Sequence, residues 1–326
     1  MKAIRYEQYG KHDVLFVSEV ETPTPGPGQV LVKVGAASVT RADTMMRSGR
    51  PALGRLMLGL FKPRYPVVGT GFAGEVVAIG DQVTRFKVGE RLFGESIFGS
   101  GTNAEYLCVD EYGVVAHTPA NLTDAEACGI CDGPLTSLNF LRDIGKLLAG
   151  QKLLVAGASG SLGSAAVQIG KLLGAEVTAV CSGANAIWVK DLGADRVIDY
   201  TQQDFTQESV QYDLIFDTVG QYAFCDGRRV LKQSGSYLTP VFSMRNIVSM
   251  LLTRIGNGPR LKFSATGMRP HHELAQMLEE LKELFAEGRM QSVQDRHFSL
   301  EETASAHAYV ESGHKKGNVV VMPFTA

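Results

Sequence analysis

The sequence predicts an α/β fold in which a doubly wound parallel sheet is joined to a second, strand-rich unit. Three observations carry this. Up to about residue 123, short alternating runs such as 30–34 and 74–79 are broken by Gly, Pro and Asp turns. Beyond that point helical stretches alternate with apolar strands. At residues 153–164 (LLVAGASGSLGS) an apolar β-type run gives way to glycines spaced three apart, and an amphipathic helix pattern follows at once.

Taken in order, turns at 23–28 (PTPGPG) and at Gly80-Asp81 separate the early strands, the pattern of an antiparallel barrel-like unit. Strands are then predicted at 153–156, 177–181, 213–217 and 235–239. Their alternation with helices implies parallel βαβ units with right-handed crossovers. A last amphipathic helix over 271–287 stops at Gly288, and a β-like tail covers 318–322.

Gly157, Gly160 and Gly163 form a GxxGxxG variant of the dinucleotide fingerprint. In a strand–turn–helix context, positions without side chains let backbone amides and the helix dipole approach a pyrophosphate. Ser159, Ser161 and Leu162 are candidates for hydroxyl or backbone donors in the same turn, the alternative for the serines being turn filling. About 20 residues on, the second strand ends in Cys181-Ser182-Gly183-Ala184-Asn185, with no acid to hold a ribose 2′-hydroxyl. An acid there would repel a 2′-phosphate, so its absence favours NADPH over NADH, although Lys190 is the nearest cation in sequence. Val219 and Thr239 follow the fourth and fifth strands, whose carboxyl ends line the ligand crevice of open α/β sheets.

Composition narrows the function. The 326-residue chain suffices for two domains, with 44% hydrophobic and 20% charged residues. A net charge of −2 argues for neither a nucleic-acid nor a membrane partner. Five cysteines without framework spacing read as reduced thiols, and Cys128-x-x-Cys131 lacks the second pair a zinc site needs. With no signal-peptide pattern at the start, a cytoplasmic location is expected.

Several short segments, in order along essentially the whole chain, resemble the medium-chain dehydrogenase/reductase superfamily, and within it the zinc-independent quinone oxidoreductase branch. They are 1–4 (MKAI), 25–32 (PGPGQVLV), 69–77 (GTGFAGEVV), 86–94 (FKVGERLFG), 104–106 (AEY), 135–137 (LTS), the glycine turn and 192–200 (LGADRVIDY). Residues 313–320 (GHKKGNVV) are similar to the reticulon-interacting-reductase-like subgroup. The resemblance implies a Rossmann-type doubly wound sheet over 126–266 and a GroES-like β-barrel catalytic domain over 1–125 and 267–326. It also implies a homodimer.

At the positions where zinc-containing members hold Cys, His-Glu and Cys, this chain carries Thr40, Thr70-Gly71 and Asp132 or its neighbour Cys131. Such a set lacks the imidazole and thiolate donors zinc favours, and the four-cysteine lobe is absent, so no zinc is expected. Without a Lewis acid a simple alcohol is hard to oxidise, whereas a quinone or enone accepts hydride with modest hydrogen-bond help.

The resemblance nominates Thr40, Asp43 and Thr136 as catalytic residues. Either threonine donates to a carbonyl or caps a helix, and Asp43 orients a neighbour or serves the same cap. It also assigns Ser182 and Asn185 to the nucleotide phosphate, Tyr200 to the adenosine end or the core, and Asn318 to the cofactor. Where many relatives carry a tyrosine, Met45 suggests an apolar pocket wall, and Gly71 stands where relatives commonly have Asp. Of two apolar insertions, 51–66 is expected to form a lid over the cleft or to pack on the surface, and 243–260 to cover the pocket or form a dimer contact. The competing reading is a nucleotide-binding adaptor or sensor with little turnover.

Overall fold

The computed structural model describes residues 1–97, 99 and 101–324. The chain opens with the strands β1 (Lys2–Arg5), β2 (Phe16–Glu19) and β3 (Gln29–Val39), then the helices α1 (Arg41–Ser48) and α2 (Arg55–Leu58). It continues through β4 (Gly71–Ile79), β5 (Arg91–Glu95), β6 (Tyr106–Asp110), β7 (Val114–His117) and α3 (Asp124–Ala127). A βα series follows: α4 (Gly133–Leu138), β8 (Lys152–Ala156), α5 (Ser161–Leu172), β9 (Glu176–Cys181), α6 (Ala186–Asp191) and β10 (Arg196–Asp199). It goes on with β11 (Tyr212–Asp217), α7 (Phe224–Gly227), β12 (Leu231–Thr239), α8 (Met244–Thr253) and β13 (Arg260–Phe263). The last elements are α9 (His271–Ala286), β14 (Gln294–Ser299), α10 (Thr303–Glu311) and β15 (Asn318–Met322).

These elements form two compact units, Met1–Asp132 with Arg269–Ala326, and Gly133–Met268. In the second unit six strands lie in the order β10-β9-β8-β11-β12-β13, every neighbouring pair parallel. That order reverses direction between β8 and β11, the switch point of a doubly wound sheet. Apolar residues on these strands, among them Leu154, Val180, Ile198, Ile215, Tyr237 and Leu261, make its core. Burial on both faces explains why the strands read as nearly continuous apolar runs.

The first unit is built on a sheet in the order β14-β15-β3-β4-β5-β7, with β6 also on β3. Its pairings are antiparallel except β14 with β15. The eleven-residue β3 anchors it, and alternation along Val30, Val32 and Val34 fills one core with Phe72, Leu92 and Val115. The tail returns through Val319 and Val321, which pack with Ile4, Val39 and Leu300 in a further core.

Both apolar insertions form helical turns and leave apolar side chains exposed. In 51–66 only one turn of α-helix forms, and it turns Leu58 inward; Leu53, Leu56, Met57, Leu60 and Phe61 are all exposed. The second insertion does form a full helix, α8, between the last two strands of the parallel sheet, with Val248, Leu251 and Leu252 exposed. Among the described residues no helix is long and apolar enough to cross a membrane.

Candidate active site

In the second unit β8 delivers Gly157 at φ +79°, a left-handed conformation suited to glycine. The returning helix passes so close that a Cβ on Gly163 would lie 2.1 Å from the Gly157 carbonyl oxygen. Gly160 is the opposite case. A Cβ there would find only the Gly157 oxygen, at 3.6 Å, so the space in front of the α5 N-terminus is open. The first amides of α5 lack helical acceptors, as at any helix start. The Ser137 hydroxyl donates to the Leu162 carbonyl over 2.8 Å and fixes this turn against α4. Ser161 is buried, whereas Ser159 and Leu162 are half-buried. An open cradle at a helix N-terminus beside the switch point fits a dinucleotide pyrophosphate.

Around this turn the strand ends carry the other predicted nucleotide residues. Asn185 Nδ2 donates to Ser182 Oγ over 3.1 Å, and the Trp188 indole donates to Asn185 Oδ1 over 3.2 Å, so the two residues form one braced unit. Tyr200 is exposed at the end of β10, which removes the alternative of a core tyrosine. Val219 is exposed after β11. Thr239 is fully buried, and its hydroxyl accepts from the Val241 amide over 3.1 Å; it shapes its turn rather than presenting a free hydroxyl.

Sequence reasoning missed two acids here. Asp217 Oδ1 accepts from the amides of Val219 and Gly220 at 3.1 and 2.9 Å, while Oδ2 accepts from the Tyr237 hydroxyl at 2.8 Å, which sets the turn after β11. Asp199 accepts from the Thr201 amide and hydroxyl at 3.0 and 2.8 Å, and a Cβ on Gly183 would lie 2.5 Å from its other oxygen. The amide and hydroxyl bonds from Thr201 hold Asp199 below the usual carboxylate range. The adenosine-end loop therefore does have a fixed negative charge against it, supplied by the neighbouring strand. The Lys190 ammonium donates to the Asp195 carbonyl.

In the first unit Thr40 follows β3 and caps α1. Its amide and hydroxyl both donate to Asp43 Oδ2 at 2.7 Å, and the Asp43 amide donates back to Thr40 Oγ1 at 3.1 Å. This reciprocal capping box is buried and leaves Asp43 Oδ1 without a hydrogen bond. Burial pushes the Asp43 carboxyl up to about 6, opposed by the Thr40 bonds. The predicted carbonyl-donor role of Thr40 is thus restricted, since its proton is already given to Asp43.

Two more residues join this centre that the sequence did not single out. Glu95, at the end of β5, is pushed up to about 8 by burial and then by the charges of Asp132 and Asp43. The Lys315 ammonium donates to the Gly317 carbonyl at 2.9 Å; burial pulls it down, while Asp132, Asp295 and Asp43 pull the other way. The Cys131 thiol is buried and pushed well up, first by burial and then by Glu95. Gly71 also finds an explanation: a Cβ there would stand 2.4 Å from Ser38 Oγ and 2.8 Å from the Cys128 carbonyl oxygen, so an aspartate has no room.

Thr136 lies in α4 of the second unit, half-buried, and its hydroxyl makes no hydrogen bond among the described residues. Asn318 begins β15 in the first unit, buried against Gly129, with Nδ2 3.4 Å from Ser292 Oγ. Met45 is half-buried. It lines a cleft with Lys11, Arg41, Arg50 and Arg55.

Comparison with known proteins places this geometry in context. Residues 26–120 match the family described as alcohol dehydrogenase GroES-like domain, and residues 192–321 match zinc-binding dehydrogenase. The chain is 31% identical to the chloroplastic quinone-oxidoreductase QR1 of Triphysaria versicolor, covering 99% of this chain and 98% of that protein. It is 30% identical to the chloroplastic NADPH-dependent alkenal/one oxidoreductase of Arabidopsis thaliana, covering 99% and 80%. Among solved structures, the quinone oxidoreductase from Coxiella burnetii superposes with a TM-score of 0.87 at 26% identity, over 99% of both chains.

Proposed function

We propose that this chain, which belongs to the zinc-independent quinone oxidoreductase branch of the medium-chain dehydrogenase/reductase superfamily, reduces quinones or α,β-unsaturated carbonyls with NADPH. The observation that carries the reading is the open glycine cradle of Gly157, Gly160 and Gly163 at the sheet's switch point. The nicotinamide, when bound, supplies the hydride.

The chain's own residues hold, orient and protonate. The α5 N-terminus and its glycines receive the pyrophosphate, and the Asp217–Tyr237 pair keeps the turn after β11 in place. The braced Ser182 and Asn185 side chains serve the 2′-phosphate, with exposed Tyr200 beside the adenosine. Thr136 offers the free hydroxyl for a carbonyl oxygen on which negative charge develops. Within the first unit Asp43 governs the Thr40 hydroxyl: ionised, it holds that proton, and protonated, it releases the hydroxyl to donate elsewhere. Glu95 stays protonated at neutral pH and provides a proton reserve in the same unit.

A zinc-free mechanism is part of this proposal. The donor set supports it, because the Thr40 hydroxyl is committed to Asp43 and no imidazole stands at any of the positions Thr40, Thr70-Gly71 and Cys131-Asp132. Among the described residues no three His, Cys, Asp or Glu side chains are grouped to hold a metal ion. A cytoplasmic homodimer completes the reading, and β13 offers an open strand edge for it. The test is acceptor-dependent oxidation of NADPH by chelator-treated protein against ortho-quinones, para-quinones and enones, with NADH in parallel. Turnover that survives chelation supports the reading; tight NADPH binding without turnover on any acceptor points to an adaptor.

A further inference from the structure

The first unit contains a cleft of about 690 Å³ between the 9–12 segment, α1, the 50–55 segment and the end of α10. Lys11, His12, Arg41, Arg50 and Arg55 line it, and among the described residues Glu311 is its only carboxylate. That carboxylate is already spent, because the fully buried Arg47 donates to it at 2.5 Å. Arg55 is held in place, with Nε donating to the Gly49 carbonyl at 3.1 Å and its guanidinium 4.5 Å from the Tyr9 ring centre. The side chains of Lys11, Arg41 and Arg50 have no hydrogen-bond or ion-pair partner among the described residues.

A structural role does not account for so much positive charge. The C-termini of α1 and α10 each contribute about half a negative charge. Together with Glu311 they leave a surplus of roughly three positive charges among Lys11, Arg41, Arg47, Arg50 and Arg55. In a chain of net charge −2 that surplus is concentrated in one concavity. Guanidinium groups pair with phosphate oxygens in a bidentate fashion, and a diphosphate carries nearly the matching charge. The volume lies in the range of about 300–1,000 Å³ that holds a drug-sized ligand. We propose that this cleft is a binding site for a small molecule carrying a diphosphate. None of the residues assigned to the nicotinamide nucleotide lines it.

Calorimetric titration tests this on protein holding one equivalent of NADPH, with inorganic pyrophosphate and ADP as probes. The expected result is saturable one-to-one binding that weakens with salt and falls about tenfold or more in the R41Q/R50Q chain. R289Q, which removes an exposed arginine elsewhere, leaves it unchanged. ADP binding tighter than pyrophosphate assigns a nucleoside diphosphate; equal or weaker binding assigns the free ion. The altered side chains are exposed, and matching melting curves verify folding; K11Q gives the same reading if the double variant fails to fold. No saturable binding of either probe, or binding that R41Q/R50Q and K11Q leave intact, overturns the proposal.

Discussion

The Thr40 hydroxyl donates to Asp43 Oδ2 across 2.7 Å while the Asp43 amide donates back to Thr40 Oγ1 across 3.1 Å. One pair of side chains thereby starts a helix and holds a proton at the position where zinc-containing relatives place their first ligand. Replacing Thr40 by valine keeps the shape and removes both side-chain bonds. We expect T40V to lose about 1 kcal/mol of stability, the usual worth of an N-cap, measured by urea unfolding. Because the lost bond favours the ionised carboxyl, the Asp43 ionisation should also move above 6, seen as an alkaline shift in the pH profile of turnover.

Asp43 rises from 3.8 to about 6 and Glu95 from 4.5 to about 8, both chiefly through burial. Each acid binds its proton more tightly in the folded chain than in the unfolded one. Their contribution to stability is therefore full below about pH 4 and is lost as pH climbs through 6 and then 8. The wild-type urea midpoint should fall between pH 6 and 8.5. In the E95Q chain that fall should be much smaller.

The glycine triplet separates into two functions. G163A brings a Cβ to 2.1 Å from the Gly157 oxygen and should cost about 1–3 kcal/mol of stability through overpacking. G160V fills open space, so its melting curve should match the wild type while its NADPH affinity drops about tenfold or more. Calorimetry and fluorescence titration on the two variants distinguish these outcomes.

Asp199 stands against the loop that carries Ser182 and Asn185. Its charge opposes a 2′-phosphate, so D199N should raise the preference for NADPH over NADH. S182A should lower it by removing a phosphate donor and loosening Asn185. The ratio of kcat/KM for the two nucleotides measures both effects.

The parts of this fold that were legible in the sequence are those written in local periodicity. The runs at 153–156, 177–181 and 213–217 appear as β8, β9 and β11 because strands buried on both faces must be apolar throughout. The glycine turn was legible for the same reason: strand, turn and helix are contiguous. What escaped depends on approach between distant segments. Glu95 and Lys315 meet the charges of Asp43 and Asp132 only through the pairing of β5 and the return of β15, and Asp199 reaches Gly183 from an adjacent strand. Similarly, Met45 was read from its own chemistry, while the cleft around it is set by arginines from neighbouring segments.

The central claim is hydride transfer itself, and isotope labelling tests it most directly. Chelator-treated protein is given NADPH deuterated at the nicotinamide C4, in each stereochemical form, with an α,β-unsaturated ketone. We predict one deuterium at the β-carbon of the product from one of the two forms only. Consumption of the labelled nucleotide without deuterium in the product, or no reduction of enones and quinones by protein that binds NADPH, would contradict the account.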